Sequence, residues 1–279
     1  MNIVNILEEI EKVDGEIYER LNPRRAAMKD FFNFGKKIAL SAAPLALGSM
    51  FTKAYGQTAP SAVIDVLNYA LTLEYLEYHF YNHSLVAAPG LIPAGAPNAA
   101  ITTIRDHEKA HVDLLTGAIT ANGGTPVSFT YAQFDFTAKG TFPTVYSDYN
   151  TFLAVAQAFE DTGVRAYKGQ ATVLKGMPVL TTALQIHSVE ARHAAHIRSM
   201  RAANGATIKP WISLGAGGSA NDTGIAAVDP VYAGENLDVQ AEITITGIAT
   251  GVTKAAAVES FDEPLAKADV LTIASLFIR

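Results

Sequence analysis

Glutamate usage constrains this chain more than any other feature. Between Ser61 and Asn204 Glu occurs only at positions 74, 77, 108, 160 and 190, although it is a favoured residue on exposed helix surfaces. Two of the five open the same pattern, Glu108-Lys-Ala-His111 and Glu190-Ala-Arg-His193. Residues three apart share a helix face, so each pair aims a carboxylate and an imidazole at one point. Two more share a second pattern, with Tyr seven positions on: Glu74 with Tyr81 and Glu160 with Tyr167. Leu67, Ala70 and Leu71 precede Glu74, and Leu153 and Ala156 precede Glu160, so each Glu stands in the apolar stripe that faces inward.

Punctuation divides the region into four helices. The first is predicted from Ser61 to Val86, ending at Pro89-Gly90, and the second from Pro97 to Thr120, ending at Asn122-Gly123-Gly124. The third starts near Ser147 or Asp148, good N-cap residues, and runs to about Leu174. After Gly176 and Pro178 the fourth runs from Val179 to Ala203. The connections are short, long and short, which predicts an all-α four-helix bundle with one long crossover. Its two halves repeat each other: a Glu-x6-Tyr helix, then a Glu-x-x-His helix.

Four carboxylates buried together require compensation, because an isolated buried charge costs many kcal/mol. Two divalent ions would balance Glu74, Glu108, Glu160 and Glu190, with His111 and His193 binding as neutral imidazoles. The chain has no cysteine, which excludes thiolate sites, iron–sulfur clusters and disulfides. Oxygen and nitrogen donors alone suit two iron or manganese ions. Glu77 shares the face of Glu74 one turn on, but the Tyr spacing favours Glu74 as the ligand. His107 and His187 point off the ligand stripe and read as solvated or satisfied side chains. His196 falls one turn past His193, where it would line an access path, and His79 and His83 read as surface or helix-end residues.

These motifs resemble those of the ferritin-like superfamily, which holds ferritins, rubrerythrins and manganese catalases. Their order and the tail look most like the branch that includes plant desiccation-related proteins. The resemblance runs over residues 60–204, and more loosely to Phe261-Asp262-Glu263-Pro264-Leu265. It implies a ferritin-like four-helix bundle with a two-metal site. Its bridging carboxylates would include Glu108 and Glu160, or Glu74 and Glu190, and Tyr81 and Tyr167 would donate to the glutamates from outside the ligand set. It also implies oxidoreductase-type chemistry on small molecules, oxygen or peroxide. A non-catalytic metal-binding stress or structural protein of the cell envelope is the competing expectation.

The flanking segments carry less chemistry. Residues 1–56 form an N-terminal unit, 57–204 the bundle and 205–279 a tail packing on it. Arg24-Arg25, the apolar run Ile38–Phe51 and Ala54-Tyr55-Gly56 resemble a twin-arginine export signal, implying a periplasmic or exported protein. Pro23 stands where such signals carry Ser or Thr, and a helical hairpin of a cytoplasmic protein is the alternative. The apolar run is about 14 residues, short of a membrane span. In the tail, Val239, Ala241, Ile243 and Ile245 alternate with polar residues, predicting a half-buried strand. Ser260-x-x-Glu263 has the form of a capping box before a short C-terminal helix, and Glu235 is the tail's one residue of chemical interest. A net charge of -6 with no basic stripe excludes a nucleic-acid partner. The tail and N-terminal segment would obstruct a storage cage, while a smaller homo-oligomer remains compatible.

Overall fold

The structure is a computed structural model that describes residues 61–219 and 225–279, so the expected N-terminal helix and export signal lie outside the described residues. Four long helices dominate: α1 (Ser61–Val86), α2 (Ala96–Ala121), α3 (Tyr149–Gln170) and α4 (Val179–Ala203). Helices α1 and α2 pack as one hairpin, α3 and α4 as another, with lighter contact between them through α1–α3 and α2–α4. This is the expected bundle. The Asp148 carboxylate accepts the Thr151 N–H and starts α3. That helix stops at Gln170, four residues before the expected end. The Leu174 N–H still reaches the Gln170 carbonyl at 3.2 Å before the turn at Gly176.

Two apolar clusters fill the bundle. One gathers Val63, Leu67, Leu71, Leu115, Ile119, Val179 and Ile186. The other joins Leu76, Phe80, Phe152 and Phe159 to crossover residues Phe134, Phe136 and Phe142 and to the tail's Phe277. Phe80 stacks on Phe152 at 4.9 Å, and Phe159 meets Phe277 edge-on at 4.7 Å. Aromatic side chains thus fix the long crossover on the bundle. His79 and His83, expected as surface or helix-end residues, are half-buried in the same contact: His79 bonds the Phe129 carbonyl at 3.0 Å, and His83, in the last turn of α1, stacks on Tyr131.

The tail folds differently from its sequence pattern. Ala241 (φ 48°) and Glu242 (φ 68°) form a two-residue turn that returns β1 (Val239–Gln240) onto β2 (Ile243–Thr244), pairing Val239 with Thr244. The alternating run therefore doubles back before it can lie on a core, leaving Val239 and Ile243 about half exposed. Ser260 is no N-cap either. Its hydroxyl donates to the Ala256 carbonyl at the end of α5 (Lys254–Val258), and α6 (Lys267–Ala274) starts later, after Ala266.

Buried cations strap the tail to α3 and α4. Arg165 donates to the carbonyls of Glu263, Val231 and Ala233 and pairs with Glu235 at 2.8 Å. Glu235 is thereby a structural counter-ion. Arg198 pairs with Asp161, which also accepts the Tyr232 hydroxyl at 2.7 Å. At Gly169 the strap touches α3 so closely that a Cβ would fall on the Leu265 carbonyl oxygen. Replacing Arg165 by Ala should cost about 3–5 kcal/mol, because Glu235 would stay buried without its partner. Gly169→Ala should cost about 1–3 kcal/mol through overpacking. Gly247→Ala, where a Cβ meets nothing, should stay within about 0.5 kcal/mol. Denaturant melts of the three variants check this ranking.

Candidate metal centre

At the middle of the bundle the inward stripes converge. Glu74, Glu108, Glu160 and Glu190 have no exposed surface. Their carboxylates and the imidazoles form two groups, in each of which one donor atom per residue lies within 4.8 Å of every other. One group is Glu74, Glu108, His111 and Glu190; the other is Glu108, Glu160, Glu190 and His193. Glu108 and Glu190 belong to both. The structure therefore unites all six residues singled out from the sequence. The shared pair is the two Glu-x-x-His glutamates, neither of the pairings implied by the resemblance.

Each imidazole turns Nδ1 inward. His111 Nδ1 lies 3.0 Å from Glu190 Oε1 and 3.1 Å from Glu74 Oε2, and His193 Nδ1 lies 2.9 Å from Glu108 Oε1. The tyrosines cross between the halves. Tyr81 of α1 donates to Glu160 Oε1 of α3 at 2.5 Å, and Tyr167 of α3 donates to Glu74 Oε1 of α1. Burial first, and then the carboxylate each touches, push both phenols well above their ordinary range, so both stay protonated donors.

The donor set fits divalent cations on its own terms. Glu108 Oε1, Glu160 Oε2, both oxygens of Glu190 and His193 Nδ1 are buried and make no well-aligned hydrogen bond, only imidazole–carboxylate approaches of 2.9 to 3.4 Å. Buried polar atoms are normally satisfied, and the four residues that carry these atoms form one donor group. Oxygen and imidazole donors without sulfur match iron or manganese better than copper or zinc–thiolate sites.

Two residues play larger parts than the sequence spacing indicated. Glu77 is also buried, on the site side of α1, and α3 comes close at Gly163, where a Cβ would lie 3.2 Å from Glu77 Oε1 and 3.7 Å from Glu190 Cγ. Burial, then Glu190, Glu160, Glu108 and Glu74, hold its carboxyl well above the usual range, so it sits beside the four others as a neutral acid. It is in neither four-residue group. His107, expected to be a solvated or satisfied histidine off the ligand stripe, places Nδ1 3.0 Å from His193 Nε2 with the rings nearly parallel. The available signal was that His107 and His111 are four apart and so share a face. His187 is satisfied as expected, its Nδ1 on the Val164 carbonyl.

Without metal the cluster holds protons. Burial alone would lower His193, but Glu160 and the carboxylates bonded to it raise it to about 12. His111 rises likewise: Glu74, Glu108 and Glu190 outweigh its burial. Glu190 would be raised by burial, yet the two imidazoles beside it lower it to about 2. Burial raises Glu160 from 4.5 to about 7 against the pull of His193. The sign of the pH dependence follows. Above pH 4.5 Glu160 keeps a proton that the unfolded chain loses, and above 6.5 His193 does the same. The folded state then binds more protons, so stability falls as pH rises. The opposing contribution of Glu190 is complete once pH exceeds 4.5. Metal-free protein should therefore melt at a lower temperature near pH 8 than near pH 5.5. A Tm equal at both values would mean that the cluster is not assembled.

The family model for the ferritin-like domain matches residues 62–203, the span of the four helices. The match reaches the superfamily and not the desiccation-related branch within it. Comparison with the curated proteins gives no match. No helix among the described residues is long and apolar enough to cross a membrane.

Proposed function

Because the chain belongs to the ferritin-like domain family, we propose that it is a di-metal carboxylate protein holding two iron or manganese ions and acting on dioxygen or peroxide. The observation that carries this reading is the sharing of Glu108 and Glu190 by two four-donor groups. One ion would take Glu74 and His111, the other Glu160 and His193, with Glu108 and Glu190 spanning both. Adjacent iron or manganese ions supply two one-electron carriers, which suits two-electron chemistry on an O–O unit.

The chain's own residues do the rest. The Tyr81 and Tyr167 hydroxyls hold the outer carboxylates of Glu160 and Glu74 in one orientation, as groups beyond the ligands commonly do in metal sites. The four carboxylates have no exposed surface, so bulk water is kept from them. That dry surround strengthens every electrostatic interaction inside it.

Anaerobic loading with Fe(II) or Mn(II) followed by elemental analysis should give two ions per chain. Glu190→Ala and Glu108→Ala should each lose both ions, whereas Glu74→Ala and Glu160→Ala should weaken one ion by about 10–100-fold. Glu77→Gln should keep both ions and melt within about 0.5 kcal/mol of the parent, since it replaces a neutral acid by its neutral amide. No metal in the loaded parent protein would refute the reading. A peroxide-consumption assay on the loaded protein then separates turnover from simple binding.

A further inference from the structure

The four glutamates of the site have no exposed surface, while His111 and His193 retain 8% and 5%. What solvent contact the centre has therefore runs along the seam between α2 and α4, which carry these two histidines. At that seam the two imidazoles are treated differently. His193 meets the carboxylates through Nδ1, and its Nε2 meets Nδ1 of His107 at 3.0 Å, with ring centroids 5.2 Å apart and planes 18° apart. His107 sits on α2, in the other Glu-x-x-His helix, so the contact bridges the seam. His111 turns the same Nδ1 inward, but no bond to its Nε2 is seen among the described residues.

We infer that His107 is a positioning residue for His193: it accepts the Nε2–H of His193 across the α2–α4 seam, and so commits Nδ1 of His193 to the metal. The inference rests on the di-metal reading. A neutral imidazole has one N–H and one lone pair, and the partner of one nitrogen selects the tautomer that the other presents. A metal at Nδ1 needs the lone pair there, which places the proton on Nε2. The group facing that proton must accept it, and Nδ1 of a neutral His107 has the required lone pair. The near-parallel stack also limits rotation of the His193 ring about its Cβ–Cγ bond. Among the described residues no second imidazole bonds His111 in this way, so the two halves of an otherwise repeated site differ in how their histidines are held. His107 should govern the ion held by Glu160 and His193 and leave the ion held by Glu74 and His111 alone.

The test compares His107→Leu, which removes the acceptor, with His107→Asn, whose side-chain oxygen can take the position of Nδ1. Lys109→Ala, a change at an exposed site on the same helix, serves as the control. Each protein is titrated with Co(II) against a competing chelator, and the Zn(II)-loaded forms are examined by NMR for the His193 Nε2–H proton. His107→Leu should weaken one of two Co(II) ions by about 10–100-fold and lose the slowly exchanging Nε2–H signal. His107→Asn should recover most of both, and Lys109→Ala should match the parent. Parent-like Co(II) affinity and a retained Nε2–H signal in His107→Leu would overturn the inference while leaving the di-metal reading intact. Equal weakening of both ions, or no rescue by Asn, would also overturn it, since a general loss of packing would then account for the change. A parent protein that binds neither Co(II) nor Zn(II) would remove the reading and the inference together.

Discussion

The burial of negative charge at the centre of the bundle is the constraint from which the other features follow. Glu74, Glu77, Glu108, Glu160 and Glu190 all lie inside, and each uncompensated buried ion costs several kcal/mol. A domain's whole stability is only about 5–15 kcal/mol, so a core with four or five bare carboxylates would not stay closed. The chain answers with whatever positive charge is at hand. Without metal, His111 and His193 are held protonated by the surrounding carboxylates, and the carboxyl of Glu190, close to both, is pulled downward. Protons in this state are held by imidazoles and by carboxyls such as Glu160 alike. A divalent ion displacing imidazolium protons would release them, which couples metal uptake to pH.

The repeat between the two halves is reciprocal as well as parallel. Tyr81 of the first half holds a glutamate of the second, and Tyr167 of the second holds a glutamate of the first. Neither α1–α2 nor α3–α4 can therefore complete its own share of the site. Apolar contacts such as Phe80 on Phe152 join the two hairpins, and the polar centre adds directional pairing to that apolar packing. A paired polar core of this kind specifies one alignment, because a slip by one turn would leave phenol and carboxylate groups unpaired in an apolar setting.

The bundle and its six central residues were legible because their signals are local and periodic. A Glu three before His, or seven before Tyr, fixes a shared helix face without reference to anything distant. Other features were not legible, for a matching reason. His107 looks idle from its own helix, and its partner His193 lies 86 positions away on another. The Arg165–Glu235 pair likewise spans two segments with no common period. In the tail, the alternation from Val239 to Ile245 is a real period of two, but Ala241 and Glu242 adopt positive φ and fold the run on itself. Glycine or asparagine would have announced such a turn, and neither is present.

Helix α3 shows why bundle and tail depend on each other. Every residue from Phe152 to Tyr167 is buried, including Gln157, Glu160, Asp161 and Arg165. A helix buried all round is normally apolar all round, and this one is not. Glu160, Gly163 and Tyr167 face the carboxylate cluster, while Gln157, Asp161 and Arg165 face the tail's Tyr232, Glu235 and three backbone carbonyls, Asp161 also pairing with Arg198 of α4. Glu160 and Asp161 are neighbours in the chain with opposite destinations. Removing the tail would open one polar face of α3 to water and release the Arg165 and Asp161 anchors. The same helix supplies Glu160, and Tyr167 for Glu74. The tail thus bears on the geometry of the centre by holding in place the outer side of the helix that carries it.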